Sequence, residues 1–319
     1  ELPLAQPHPE PSATALADFV HLLRLASDPD WLRCLIWLLA AYRPHGPYPI
    51  LILQGPAHCG KSHAARLLRA CIDPNRAPLH PLPSSPKKLR ELAYENWVLA
   101  FDHVTRFPCR LAESLARLTE NEIFYLPPKD DQTPLSLARP IILTVAESCY
   151  IPPEIAARAL FARLLPLSDV ARKTQSQLEA AANELLPHVL THLLRALKSA
   201  VQGRHSVNFP SLPRLPDAFV WAAAAAGALE TTPDAFRQVL AELPDPLVER
   251  VVAFMQNRSH WKGTASQLAA EIGLDGPTNQ LSRQLFQAQD ALKLQGLTLA
   301  RNHGHSFRTL EIVKVEEKS

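Results

Sequence analysis

Apolar residues follow two alternating rhythms through the first half of this chain. Between Ala15 and Tyr42 they recur at helical spacing, with Phe19, Leu22, Leu23, Leu35, Leu38 and Leu39 in register. The spacing predicts helix until Arg43-Pro-His-Gly-Pro-Tyr-Pro49 breaks it. Ile50-Leu-Ile-Leu53, Trp97-Val-Leu-Ala-Phe101 and Ile141-Ile-Leu-Thr-Val145 are instead short, unbroken apolar runs. That is the pattern of strands buried on both faces. Helix formers follow the first run at 63–71, and a short helix is predicted at 111–118 after the second. The stretch 73–86 holds too many prolines for either element, and 123–134 reads as a hairpin or loop. Strands alternating with helices predict a parallel, helix-covered sheet.

The rhythm changes after Asp169. Leu178, Leu185, Leu186, Val189, Leu190, Leu193, Leu194 and Leu197 form a helical stripe, and more helix is predicted at 217–227 and 233–241. The tail then reads as helices near 246–257, 264–272 and 278–294, followed by strands at 297–301 and 307–313. Three helices closed by a hairpin form a winged-helix pattern. The expected organisation is a loose Pro-rich segment at 1–14, a core with N-terminal helices at 15–169, a helical subdomain at 170–243 and a winged-helix domain at 244–319.

Composition narrows the function classes. The chain has 319 residues, 47% hydrophobic and 20% charged, enough for a sizeable core. A formal net charge of +2 excludes a global basic field, so any nucleic-acid surface must be local. The five cysteines show no C-x-x-C spacing, which fits a reducing, cytoplasmic setting. No secretory pattern opens the chain, and the apolar run 31–42 is too short to span a bilayer and contains Arg33. Met255 is the only methionine and the chain begins at Glu1, so residue 1 is not expected to be the native start.

The chemistry starts where the first strand ends. Gly55-Pro-Ala-His-Cys-Gly-Lys-Ser62 has the G-x-x-x-x-G-K-S spacing of a phosphate-binding P-loop, with a buried strand before it and a helix after it. The helix start offers backbone N–H groups to an anion. On this reading Gly55, Pro56, Ala57, His58, Cys59 and Gly60 wrap ATP, Lys61 reaches its outer phosphates, and the Ser62 hydroxyl ligates Mg²⁺. Pro56 lacks an N–H but sits early in the loop, ahead of the donors that cradle phosphate. Asp102 ends the second strand, where a Walker B aspartate holds Mg²⁺. Its ordinary alternative is an Asp at a strand-to-turn junction. The next residue is His103 rather than the Glu that orients the attacking water in most such ATPases, which leaves the general base unassigned. Thr144, inside the third strand, stands where a polar residue touches the γ-phosphate or positions water, although Thr is common in strands for its propensity alone. Arg158, favoured over Arg163, is the candidate for an arginine presented to a neighbouring subunit's phosphate.

The order of these segments, with Arg139-Pro-Ile-Ile-Leu-Thr144, Arg158-Ala-Leu and Arg172-Lys-Thr, resembles the AAA+-type ATPases of phages, plasmids and integrated elements, which are similar to superfamily 3 helicases. Gly46-Pro-Tyr-Pro-Ile-Leu, Ala65-Arg-Leu-Leu-Arg, Ile72-Asp-Pro, Trp261-Lys-Gly-Thr-Ala and Leu281-Ser-Arg carry the same likeness across nearly the whole chain. The resemblance implies an α/β fold of the AAA+-like P-loop NTPase type, with a helical subdomain and a C-terminal winged helix. It also implies a homo-oligomeric ring acting on DNA, Arg158 as the trans arginine, and often an upstream primase-type domain. The departures are His58 and Cys59 where the family has Gly and Ser, His103 and Thr144 where it has Asn, and Thr119-Glu-Asn-Glu122 in place of a Gly-rich stretch. They bear on hydrolysis more than on nucleotide binding.

In such motors the segment after Walker B points into the channel. Here it holds Phe124, Tyr125 and Lys129, a cation beside aromatics that suits a single strand, although Asp130 and Asp131 follow at once. A recognition helix near Pro277 would offer Thr278, Asn279, Gln280, Arg283 and Gln287 to duplex DNA, and the wing Arg301, His303, His305 and Arg308. Protein docking is the alternative use of such a module. His188 and His192 have metal-like spacing but lack the Glu of the zinc protease motif. The leading expectation is an ATP-dependent helicase, translocase or loader in replication of a mobile element. A non-motor ATP switch gating the winged helix is the alternative. A P-loop small-molecule kinase is disfavoured by the appended module.

Overall fold

The computed structural model describes residues 2–120, 123–125, 134–146, 148–167, 173–241, 246–274, 278–303 and 308–314. In chain order the elements are α1 (Ala15–Leu23), α2 (Asp28–Ala41), β1 (Ile50–Gln54), α3 (Lys61–Ala70), β2 (His80–Pro81), α4 (Pro86–Glu95), β3 (Leu99–Val104), α5 (Cys109–Leu118), β4 (Ile123–Tyr125), β5 (Pro134–Ser136), β6 (Ile141–Val145), α6 (Pro153–Ala156) and β7 (Ala159–Arg163). They continue with α7 (Gln175–Gly203), α8 (Pro216–Ala225), α9 (Pro233–Ala241), α10 (Pro246–Met255), β8 (His260–Gly263), α11 (Ala265–Glu271), α12 (Thr278–Gln287), α13 (Gln289–Leu294), β9 (Leu297–His303) and β10 (Arg308–Lys314). The chain divides into two compact units, the first spanning 1–104, 108–147 and 157–243, the second 105–107, 148–156 and 244–319.

The first unit is built on a five-stranded sheet in the order β2-β3-β6-β1-β7, and every pairing is parallel. Ile50–Leu53, Leu99–Phe101, Ile141–Val145 and Ala159–Ala162 are buried, as strands covered on both faces must be. The fold is therefore the expected α/β P-loop type. The chain inserts β6 between the loop-bearing β1 and the aspartate-bearing β3. The α7, α8 and α9 helices share one hydrophobic cluster with α1, α2 and the sheet. A capping box of Thr174 and Gln177 starts α7, which runs through Pro187.

Sequence expectations meet differences here, beginning with 73–86, expected to hold neither element, which contributes the two-residue strand β2. The helix expected from Ala15 to Tyr42 is two helices. Arg24 is left-handed (φ 60°), Leu25 bridges to Leu164, and Ser27 with Pro29 restarts the helix. The apolar periodicity carried through that break and hid it. The strand β7 was not anticipated, because Ala-Leu-Phe-Ala is short and has weak strand propensity; burial on both faces decides it. The tail has an extra strand, β8, and the helix expected at 278–294 breaks at Ala288 into α12 and α13. Finally, residues of the N-terminal segment lie along α7 rather than loose. His8 N–H donates to the Pro187 carbonyl, Ser12 N–H donates to His188 Nδ1, and His192 Nε2–H donates to the Ser12 carbonyl. His188 and His192 thus hold backbone.

The second unit packs α10, α11, α12 and α13 against a three-stranded sheet in the order β8-β10-β9, with Met255, Leu268, Leu281, Leu285, Leu292 and Ile312 in its core. Among the described residues, no helix is long and apolar enough to cross a membrane.

Candidate nucleotide site

The loop between β1 and α3 adopts a conformation that its residues dictate. Gly55 (φ 152°) and Gly60 (φ 100°) take positive φ, and so does His58 (φ 60°), where a side chain is tolerated at some cost. A Cβ on Gly55 would lie 2.8 Å from Cys59 Sγ and 3.0 Å from the Leu164 carbonyl, so only glycine fits. Cys59 is buried under the loop. The Lys61 ammonium donates to the carbonyls of Gly55 and Pro56, both at 2.7 Å, with Cys59 Sγ at 3.9 Å. The first-turn N–H groups of α3 point from the same place, as at any helix start. His63 adds no cation there: burial and then Arg66 push its imidazole pKa down, against a smaller upward pull from Glu179.

Asp102 meets this loop from β3. The β3–β6 ladder shifts register between Phe101 and Val104, and His103 is left-handed (φ 55°). The irregularity turns residues 102 and 103 out of the ladder at the carboxyl edge. Ser62 Oγ–H donates to Asp102 Oδ1 at 2.9 Å. Thr144, buried on β6, donates its hydroxyl to the same oxygen and accepts the His103 N–H at 2.9 Å. His103 Nε2 stands 3.4 Å from Asp102 Oδ2, on a side chain 84% exposed against 15% for Asp102. Mg²⁺ takes hard oxygen ligands. The Ser62 hydroxyl beside a mostly sheltered carboxylate fits that requirement.

Arg158 lies at the other end of the sheet. The parallel register sets Ile50 beside Ala159 and Gln54 beside Arg163. Arg158 therefore precedes β7 at the amino edge, about 20 Å along the strands from the loop, at roughly 3.3 Å per residue. It cannot reach a phosphate on its own loop. Its Nε and Nη2 donate to Glu120 Oε1 at 2.8 and 2.5 Å. Arg163 is exposed at the last position of β7, and its N–H donates to Asp30 Oδ1 at 3.1 Å.

Sequence reading missed Arg24. Its Cδ lies 3.9 Å from where a Gly60 Cβ would stand, and its Nη2–H donates to the Pro166 carbonyl at 2.7 Å. It also lines a cavity of about 480 Å³ with His21, Leu22, Leu178, Leu185 and His188, along α1 and α7. The left-handed turn that ends α1 places Arg24 here, and no short motif announces such a position.

Of the residues expected to meet DNA, Lys129 lies outside the described residues, as do the side chains of Asn279 and Arg308. Arg283 is exposed on α12. Arg301 on β9 donates to Ser282 Oγ at 3.2 Å and stacks over Phe286 at 4.5 Å.

A parallel sheet with β6 between β1 and β3, a glycine-lysine loop opening α3 and an aspartate near the carboxyl end of β3 bonded to the loop serine define an α/β P-loop NTPase fold. Within that class the chain belongs to the family described as "Actinomycete integrative conjugative element replication protein", whose sequence model matches residues 16–246. A search of curated proteins finds no match. Among solved structures, the apo C-terminal region of NrS-1 is similar at TM-score 0.47 and 12% identity, covering 99% of this chain and 79% of that chain. The inhibitor-bound JCV helicase is similar at TM-score 0.38 and 15% identity, covering 69% of this chain and 65% of that chain.

Proposed function

We propose that the chain is an ATP-driven DNA motor, a helicase, translocase or loader, serving replication of an integrative element. The observation that carries this reading is the joint hold of Ser62 and Thr144 on Asp102 beside the loop lysine. A group of donors poised at the carboxyl edge of a parallel sheet is how phosphoryl transfer is positioned. Lys61, now on loop carbonyls, is the cation for the outer phosphates. Ser62 and Asp102 hold Mg²⁺, which when bound neutralises phosphate charge. Thr144 fixes the Asp102 carboxylate and the His103 backbone together. Arg24 and the cavity beside α1 receive the nucleoside end.

Arg158 is supported as a trans residue by its distance from its own loop, which makes a second copy part of each site and a closed ring the natural assembly. The 170–243 helices act as the lid-like subdomain of the ATPase core. The 244–319 unit is the winged helix for duplex DNA, with Asn279, Arg283, Arg301 and Arg308 as contacts, while Lys129 meets the single strand in the channel. The setting is the cytoplasm, and a primase-type domain or protein stands upstream.

DNA-stimulated ATPase and fork unwinding test the reading. Wild type turns over and unwinds, Lys61→Ala does neither, and failure of the parent chain to bind ATP ends it. A second reading, a non-motor switch gating DNA binding, is favoured by His103 in place of a carboxylate. Tight ATP binding with negligible turnover and nucleotide-dependent DNA binding would select it.

A further inference from the structure

Neighbours on a regular strand point to opposite faces of the sheet. Asp102 and His103 do not. The register shift between Phe101 and Val104 takes both out of the β3–β6 ladder, and His103 turns left-handed (φ 55°). Its ring therefore swings to the side of the aspartate, with Nε2 3.4 Å from Asp102 Oδ2. That backbone is uncommon for a residue with a Cβ, and such residues cluster where a side chain has to be aimed. The turn is pinned from β6, where Thr144 Oγ1 accepts the His103 N–H at 2.9 Å.

The two oxygens of Asp102 have separate partners. Oδ1 accepts from the Ser62 and Thr144 hydroxyls, and Oδ2 faces the imidazole. The His103 ring is largely exposed, so it can turn toward a bound ion without disturbing the core. Among the described residues no three His, Cys, Asp or Glu side chains gather into a metal cage. Ser62, Asp102 and His103 are thus part of a shell, which phosphate oxygens and water would complete. Mg²⁺ takes oxygen ligands. An imidazole in the set favours Mn²⁺, Co²⁺ and the later divalent ions instead, and affinity rises along that series.

We propose that His103 Nε2 is a ligand of the cation at Ser62 and Asp102, and that it tilts the site from Mg²⁺ toward a borderline divalent ion such as Mn²⁺ or Co²⁺. That assignment rests on the reading of Gly55–Ser62 and Asp102 as a nucleotide and cation site. The neutral ring keeps its proton on Nδ1 and gives the Nε2 lone pair in place of one water of the shell. Asn adopts the left-handed backbone as readily as His. His103→Asn therefore removes the imidazole while keeping the turn and its bond to Thr144.

The test uses the full chain with Mn²⁺ and a non-hydrolysable ATP analogue. Electron spin echo modulation of the bound Mn²⁺ reports a directly bonded nitrogen and needs no turnover. Wild type should show an imidazole nitrogen, and His103→Asn should show none. Calorimetry alongside gives the ratio of Co²⁺ to Mg²⁺ affinity in the presence of the analogue. That ratio should fall about tenfold in His103→Asn, the low end of what losing a partner at a metal site costs. Bound Mn²⁺ without nitrogen modulation in wild type would overturn the ligand role and leave the nucleotide site standing. Nitrogen modulation that persists in His103→Asn, or an unchanged Co²⁺ to Mg²⁺ ratio, would overturn it too. No Mn²⁺ bound with the analogue in either protein would remove the nucleotide reading and the proposal together.

Discussion

Ser62 and Asp102, far apart in sequence, share a hydrogen bond of 2.9 Å across the mouth of the glycine loop. The same carboxylate oxygen accepts from Thr144, so three strands of one sheet, through β1 and its loop, β3 and β6, converge on a single atom.

Thr144→Val should break that convergence at two points. It removes a donor to Asp102 and the acceptor of the His103 N–H. Leaving the N–H unpaired costs about 1–2 kcal/mol, readable by urea unfolding. Turnover should fall and need more Mg²⁺, whereas Thr144→Ser should keep both values near wild type.

Gly55→Ala should cut ATP affinity by at least about tenfold, equivalent to ~1.4 kcal/mol. Adding Cys59→Ala should not restore it, because the Leu164 carbonyl still stands 3.0 Å from the new Cβ and φ remains at 152°. Titration calorimetry on the single and double variants checks this.

Arg69 is a fully buried cation of the first unit. It donates to the carbonyls of Asp73 and Pro78, to Asp73 Oδ2 and to Asn96 Oδ1. Burial pushes its pKa down, and Asp73 holds it up. Arg69→Met should cost about 3–5 kcal/mol of stability, measured by chemical denaturation, with ATP affinity per folded molecule unchanged.

Acid should destabilise the fold partly through His80. Burial, then the Arg69 charge, lower its folded pKa below the ordinary 6.5, against a smaller upward pull from Glu95. The unfolded chain therefore binds the proton more readily. The His80 contribution is complete above pH 6.5 and is lost as pH falls through the folded value. His80→Gln should flatten the dependence of melting temperature on pH below that point.

Much of this was legible in the sequence, for physical reasons. Ile50–Gln54 is too apolar to be anything but buried, and a glycine-lysine turn before a helix has one common use. The same logic read the run up to Asp102 as a strand, although β3 continues past it to Val104. Other features left no local trace. Arg24 sits by the loop because α1 ends in a left-handed residue, which apolar spacing does not encode. Glu120 meets Arg158 across 38 residues of chain, a tertiary pairing that neither residue announces. The β7 strand is fixed by burial rather than by its alanines. Thr144 stood at the expected place in β6, but its bonds to Asp102 and His103 needed the β3 irregularity to be seen.

The central claim is that Lys61 and the loop around it hold the triphosphate. Its most direct test is equilibrium binding of a non-hydrolysable ATP analogue with Mg²⁺ to the parent chain and to Lys61→Ala. Binding by the parent, weakened about tenfold to a hundredfold in the variant through loss of charge-assisted hydrogen bonds, is the expected result. Equal affinity in both, or no binding by the parent, would contradict the account.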